Sequence, residues 1–188
     1  MPMSDIPDPP NAAARYTSRP FPVYRYVPGL RPHPTRDPRG HSYEATPRLN
    51  RHAPWRPDEW RTLEAWLYGI DLFNARYFWE AHEAWEGLWA TAPTNSAPAL
   101  LLQGLIQIAA ALLKNHMGVI EGVRVLSREG IDKLRQVPAE LPQLMGVDVV
   151  AAVAAFERYF APAAKGLLPI LDEVPQLECS ASPPAEGR

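Results

Sequence analysis

Residues 75–91 read ARYFWEAHEAWEGLWAT. Projected at about 100° per residue, Phe78, Ala81, Trp85, Leu88 and Trp89 gather on one face, which makes this stretch an amphipathic helix. His82 falls at the edge of that face, and Glu86 follows one turn later and slightly around. Trp79 and Glu83 flank the pair, while Glu80 and Glu83 read as the solvated side. A histidine and a carboxylate four residues apart on a helix lie within reach of each other.

Helical periodicity continues on both sides. Before the stretch, Pro57 suits a first helical position and Asp58 and Glu59 complement the dipole, with Trp60, Leu63, Leu67 and Ile70 at 3–4 residue spacing. Asn74 is the expected stop and the expected cap of the following helix. After the stretch, Ser96 and Pro98 open a third helix, about 97–116, apolar on nearly every side and therefore central. A fourth covers about 119–136, with Val123, Leu126, Ile131 and Leu134 inward. The fifth, about 147–161, sets Val150, Val153, Phe156 and Phe160 on one side. No strand pattern competes, so the expected fold class is all-α: a compact bundle of about five helices.

Ahead of this body the composition changes. Of the 22 prolines, 13 fall between Pro2 and Pro57, and prolines exclude helix there. Residues 1–18 are polar and aperiodic and are expected to be disordered. Residues 19–56 keep Phe21, Tyr24, Tyr26, Val27 and Leu30, apolar surface enough to lie on something, and read as an extended arm. The helical domain then spans 57–163, and 164–188 is expected to be an irregular tail, free beyond Leu177. Through Pro57 nine arginines face four acidic residues, whereas the remainder carries ten basic and seventeen acidic residues. A basic arm joined to an acidic body folds back on it. The acidic body argues against nucleic acid as a partner.

The single Cys179 rules out an internal disulfide. The most apolar run, 97–113, is interrupted by Gln103, Gly104 and Gln107 and falls short of a bilayer span, and no secretory signal is evident. The expectation is a cytoplasmic protein with no membrane partner. Its oligomeric state is not legible.

The third helix carries Gln103, Gln107 and Lys114 on one stripe. Buried polar groups without partners cost about 1–3 kcal/mol each. His82, Glu86, Gln103, Gln107 and Lys114 are therefore expected to face each other around one internal pocket. His33 and His41, in PHPTRDPRGHSY on the arm, are candidates to join it.

The run FNARYFWEAHEAWEGLW, with His82, Glu86 and Trp89 in the order H-x-x-x-E-x-x-W, resembles the bacterial and archaeal domain of unknown function family number 309. The segment LLQGLIQIAAALLKNHMGVIEGVRVL, including Gln103, Gly104, Gln107 and Gly122, is similar to the family's second block. The resemblance implies a small all-α protein and brings no activity or cofactor with it.

Three readings of the polar residues stand side by side. In one, a pocket walled by Trp79, Trp85 and Trp89 and lined also by Lys114 binds a small polar or cationic molecule, with Gln103 and Gln107 as orienting donors and His82 and Glu86 as acid and base. In another, His82 and Glu86, completed by His33 or His41, hold a metal for an enzyme. The sequence lacks H-E-x-x-H, because Glu86 stands where the second histidine belongs, and lacks a Glu-x-x-His pair, because Trp79 precedes His82 by three. In the third, the polar residues fix helix packing in a structural or protein-interaction module.

Overall fold

The computed structural model describes residues 5–44 and 54–180. Five α-helices form the body: α1 (Glu64–Asn74), α2 (Phe78–Trp89), α3 (Ala97–His116), α4 (Ile120–Arg135) and α5 (Val149–Phe160). The all-α bundle expected from periodicity is what forms. A two-residue antiparallel pairing, Gln143–Leu144 with Val147–Asp148, is the strand content of the described residues. Its turn is Met145–Gly146, both with positive φ, a conformation that matches the twist of a tight hairpin.

The Pro57 segment is a short 3₁₀ turn, Pro57–Thr62, rather than the first turn of α1. Leu63 leaves helical geometry (φ −80°, ψ 86°), and the break lets Trp60 bury itself against Gly146. Ser96 caps α3 as expected, accepting from the Ala99 amide at 3.3 Å. Asn74 does not cap α2. Arg76 takes a left-handed φ of 63° between the helices, and the Asn74 side chain turns elsewhere.

The core begins with aromatic rings. Trp66, Phe73, Phe78, Trp85 and Phe156 are fully buried, with Phe73 5.8–6.1 Å from Phe78, Trp85 and Phe156. Each ring removes about 150–250 Å² from water. α1 meets α2 at Gly69, where a Cβ would lie 2.1 Å from Trp85 Nε1. α3 meets α4 at Gly104 and Gly130, each facing the other's carbonyl at 2.9–3.0 Å from where a Cβ would stand. α3 is long and apolar enough to cross a membrane by length and composition, but it is the central helix, with 67% of its most apolar window buried in the protein. On α5, Val149, Phe156, Tyr159 and Phe160 face inward, whereas Val150 is turned out and 64% exposed.

Both flanking segments lie on the body. Residues 5–18, expected to be disordered, are held down. Ile6 is buried, and Asp71 of α1 accepts from the Tyr16 amide (2.8 Å), the Thr17 amide (2.9 Å) and the Thr17 hydroxyl (2.6 Å). Arg76, itself buried, binds the Pro7 and Asp8 carbonyls and pairs with Asp172 at 3.1 Å. Residues 19–44 run without helix or strand. Tyr68 and Tyr77 donate their hydroxyls to the Pro20 and Pro22 carbonyls. Arg15, Phe21, Tyr77 and Arg25 stack in sequence, with separations of 4.1, 5.1 and 4.6 Å. The tail beyond Leu177, expected to be free, is not free through Ser180. Leu177 and Cys179 are buried and the Ser180 amide donates to the Gly146 carbonyl. The expected disorder of residues 1–4, and the arm and tail over 45–53 and 181–188, lie outside the described residues.

Candidate functional site

α2 has two polar edges. The first lies under the arm. Glu80, expected on the solvated side, is buried: its Oε1 accepts from the Tyr26 amide at 2.9 Å and from His41 Nε2 at 3.0 Å, and both side chains are 5% exposed. The wheel places Glu80 opposite the core, but the arm crosses that side, so the helix has a second buried face. Glu80 Oε2 is buried with no hydrogen-bond partner among the described residues.

The arm is shaped to make this contact. The Asp37 amide donates to the His33 carbonyl (3.1 Å) and the Ser42 amide to the Pro34 carbonyl (3.0 Å), closing a compact loop. Gly40 lets it close, since a Cβ there would stand 2.3 Å from both the His33 and Pro34 carbonyl oxygens. Tyr24 braces it, donating to the Pro32 carbonyl, accepting from the His41 amide and lying 4.6 Å from the His41 ring. His33 packs edge-on against Trp79 at 5.5 Å, with Tyr26 the third ring of the group. Burial, then the nearby Arg36 charge, holds the His33 imidazole below its ordinary pKa.

The second edge is His82, Glu83 and Glu86, open to solvent and facing α3. One donor atom from each lies within 4.8 Å of the others. His82 Nδ1 is 3.3 Å from the Ile106 carbonyl of α3. A carbonyl can only accept, so Nδ1 is the donor in this contact, and Nε2 faces Glu86 Oε2, 3.8 Å away. The His82 side chain is 27% exposed and that of Glu86 52%. Glu83 is raised above the ordinary carboxylate range, first by the protein mass that displaces water around its carboxyl. His82 opposes the rise, Glu86 adds to it, and Arg36 opposes it again.

The helix carrying His82, Glu86 and Trp89 packs on α3, which opens the Gln103–Gly122 block. Residues 66–126 match the DUF309 family, a domain of unknown function. The DUF309 segment comprises most of α1, all of α2 and α3, and the start of α4. His82, Glu86 and Trp89 lie inside it, and the arm with His33 and His41 lies outside. No curated protein matches the chain.

The single pocket expected from the sequence is not what the DUF309 segment builds. His82 and Glu86 do meet. Gln107 instead reaches Glu129 of α4 (3.2 Å), with its Oε1 buried and without a partner among the described residues. Lys114 lies along Gly122 of α4, where a Cβ would come within 3.0 Å of its Cγ. Trp89 and Gln103 share a separate hollow of about 240 Å³ beside the α2–α3 turn. Trp79 is under the arm with His33, and His41 belongs to Glu80, not to the His82 group. The physical reason is the angular width of each helix face. Gln107 and Lys114 of α3 are turned toward α4, Gln103 toward the α2–α3 turn, and the backbone carbonyl of Ile106, not a glutamine, meets His82. Sequence reasoning missed Glu80 and Glu83 as members of these groups. For Glu83 a signal was present, since it adjoins His82 and lies three residues from Glu86.

Proposed function

We propose that this chain is a cation-binding helical domain in which His82, Glu83 and Glu86 hold one divalent metal ion. The observation that carries the reading is that one donor atom from each of His82, Glu83 and Glu86 lies within 4.8 Å of the others, on a histidine ring oriented by a backbone carbonyl. With Nδ1–H donating to the Ile106 carbonyl, Nε2 is the nitrogen turned toward the carboxylates, and metal-binding histidines are commonly oriented by such a carbonyl on their other nitrogen. The two carboxylates supply charge. Their proximity is unfavourable without a counter-charge, and a cation between them reverses the sign of that interaction. One nitrogen and carboxylate oxygens suit Zn²⁺, Mn²⁺ or Fe²⁺. Three donors within one helical turn leave coordination positions for water or a ligand, as in catalytic rather than structural sites.

A purely internal role for these residues is disfavoured by their exposure, because a carboxylate half in solvent does little for packing. The test is titration of the chain, purified without a metal-affinity tag, with Mn²⁺ and Zn²⁺ by calorimetry. The expected result is one site per chain, abolished by His82→Ala and weakened by Glu86→Gln. Absence of binding by the parent chain, or equal binding by His82→Ala, removes the proposal.

A further inference from the structure

We infer that Ser42, His41 and Glu80 form a hydroxyl–imidazole–carboxylate triad, and that Ser42 is a nucleophile that takes acyl groups from small activated esters. The triad lies on the edge of α2 under the arm, so it stands or falls apart from the cation reading.

Two distances make the triad. Ser42 Oγ lies 2.8 Å from His41 Nδ1, and His41 Nε2 lies 3.0 Å from Glu80 Oε1. One ring thus joins a hydroxyl on one side to a carboxylate on the other, the order of groups that activates a serine. A carboxylate only accepts, so the neutral ring that donates Nε2–H to Glu80 keeps Nδ1 as the acceptor for the Ser42 hydroxyl. The serine-protease triad uses the two nitrogens the other way round. The chemistry asks only for one accepting nitrogen toward the hydroxyl and one donating nitrogen toward the carboxylate.

The base is held firmly and the nucleophile is presented outward. The side chains of His41 and Glu80 are each 5% exposed, so water competes little for the hydrogen bond between them. Glu80 Oε1 also accepts from the Tyr26 amide at 2.9 Å, while Oε2 is buried without a hydrogen-bond partner among the described residues. Positive charge developing on the adjacent ring compensates a carboxylate so sparsely bonded. Tyr24 fixes the ring, lying 4.6 Å from it and accepting from the His41 amide at 3.2 Å. The Ser42 amide is tied to the Pro34 carbonyl and the Tyr43 amide to the Gly40 carbonyl, which fixes the backbone on both sides of the hydroxyl. Ser42 itself is exposed.

In the acylation step Ser42 Oγ bonds to the ester carbonyl carbon and its proton passes to His41 Nδ1. The ring becomes imidazolium against Glu80, which takes up no proton. The bond from the carbonyl carbon to the leaving oxygen then breaks, and that oxygen keeps the electron pair and receives the proton from Nδ1. Ser42 is left as an ester. Water attacking that ester by the same route releases the acid and restores the hydroxyl.

The experiment uses the full chain with p-nitrophenyl acetate as probe and a chelator present, so that bound metal takes no part. Release of p-nitrophenol gives the rate, and peptide mass spectrometry locates the acetyl group. The expected result is acetylation of Ser42 well ahead of the exposed Ser18, abolished by Ser42→Ala and slowed about a hundredfold or more by His41→Gln. Glu80→Gln keeps an accepting oxygen and removes the charge. It is expected to slow the reaction about tenfold or more while hydrogen exchange over residues 24–42 stays as in the parent, a combination that a merely structural role does not produce. Acetylation of Ser42 no faster than that of Ser18, or an unchanged rate in His41→Gln, overturns the inference. Loss of rate in Glu80→Gln only together with loss of protection over 24–42 returns Glu80 to holding the loop and overturns the triad.

Discussion

Asn74 and Leu177 hold each other by two hydrogen bonds across 103 positions of sequence. The Asn74 Nδ2 donates to the Leu177 carbonyl and the Leu177 amide donates to Asn74 Oδ1, both at 2.8 Å and both buried. The amide side chain thus pairs with the tail as a neighbouring strand would. Removing it strands a buried backbone N–H and C=O, each of which costs about 1–3 kcal/mol. Asn74→Ala is expected to lower unfolding free energy by at least about 2 kcal/mol in urea titration. Asn74→Asp should be nearly as damaging, because it keeps the acceptor and loses the donor to the Leu177 carbonyl. An Asn74→Ala variant as stable as the parent, with the tail still protected from exchange, would mean that the clamp contributes nothing.

The helices were legible in the sequence because their stripes repeat at 3–4 residues, and burial of Trp66, Trp85, Leu105 and Phe156 follows from that pattern. The clamps were not legible. Nothing around Asn74 announces Leu177, since the pairing depends on where an irregular tail returns, and Asn74 has a simpler local role as a cap. Glu80 shows the same difficulty from the other side. A wheel knows one environment per face, and the arm created a second. At the candidate site, His82 and Glu86 were found because i, i+4 geometry is local. The expected glutamine partners failed because a backbone carbonyl met the histidine first.

The Glu80–His41 pair should control the arm rather than the bundle. Removing one partner of a buried hydrogen bond leaves the other unsatisfied, at a cost of about 1–3 kcal/mol where the rest of the structure cannot move. Here the arm can lift away, so the cost is expected to appear locally. Glu80→Ala should raise hydrogen exchange across residues 24–42 by an order of magnitude or more while α3 and α4 keep their protection. Uniform loss of protection across the bundle would show that the arm and the helices fold as one unit.

Close helix contacts make two glycines differ in a measurable way. At Gly69 an added Cβ meets the Trp85 ring at 2.1–2.7 Å, and that ring is fully buried. Alanine gains about 1 kcal/mol of helix propensity over glycine but cannot offset overpacking of about 1–3 kcal/mol or more against a ring with no room to retreat. Gly118 has open space around its Cβ position but a φ of +73° at the end of α3. Gly69→Ala is therefore expected to lower the melting temperature by several degrees, and Gly118→Ala by less, with Gly118→Asn nearly neutral. The reverse order would count against the helix α1–α2 contact as drawn.

Cys179 is the chain's one thiol, and its surroundings should silence it. It lies buried beside Met145, and burial pushes its pKa up to about 12. Because the thiolate is the nucleophile, reaction with a disulfide reagent at neutral pH should wait for opening of the 177–180 segment. Asn74→Ala should accelerate that reaction, as the same segment is released. Prompt labelling of the parent would instead place the tail in solvent.

His33 provides a pH test of the arm's position. Its folded pKa lies below the ordinary 6.5, through burial against Trp79 and Tyr26 and then through the Arg36 charge. A depressed pKa means that the folded state favours the neutral ring. Its contribution to stability is therefore present above the unfolded value near 6.5 and is lost as pH falls through the lower folded value. NMR titration should give His33 a midpoint below 6.5, and Arg36→Ala should move it upward part of the way, leaving the burial contribution. Glu80→Ala should move it further, because the loop that carries the ring is released. A His33 midpoint at the ordinary value, unmoved by either substitution, would mean that the loop does not lie on α2 in solution.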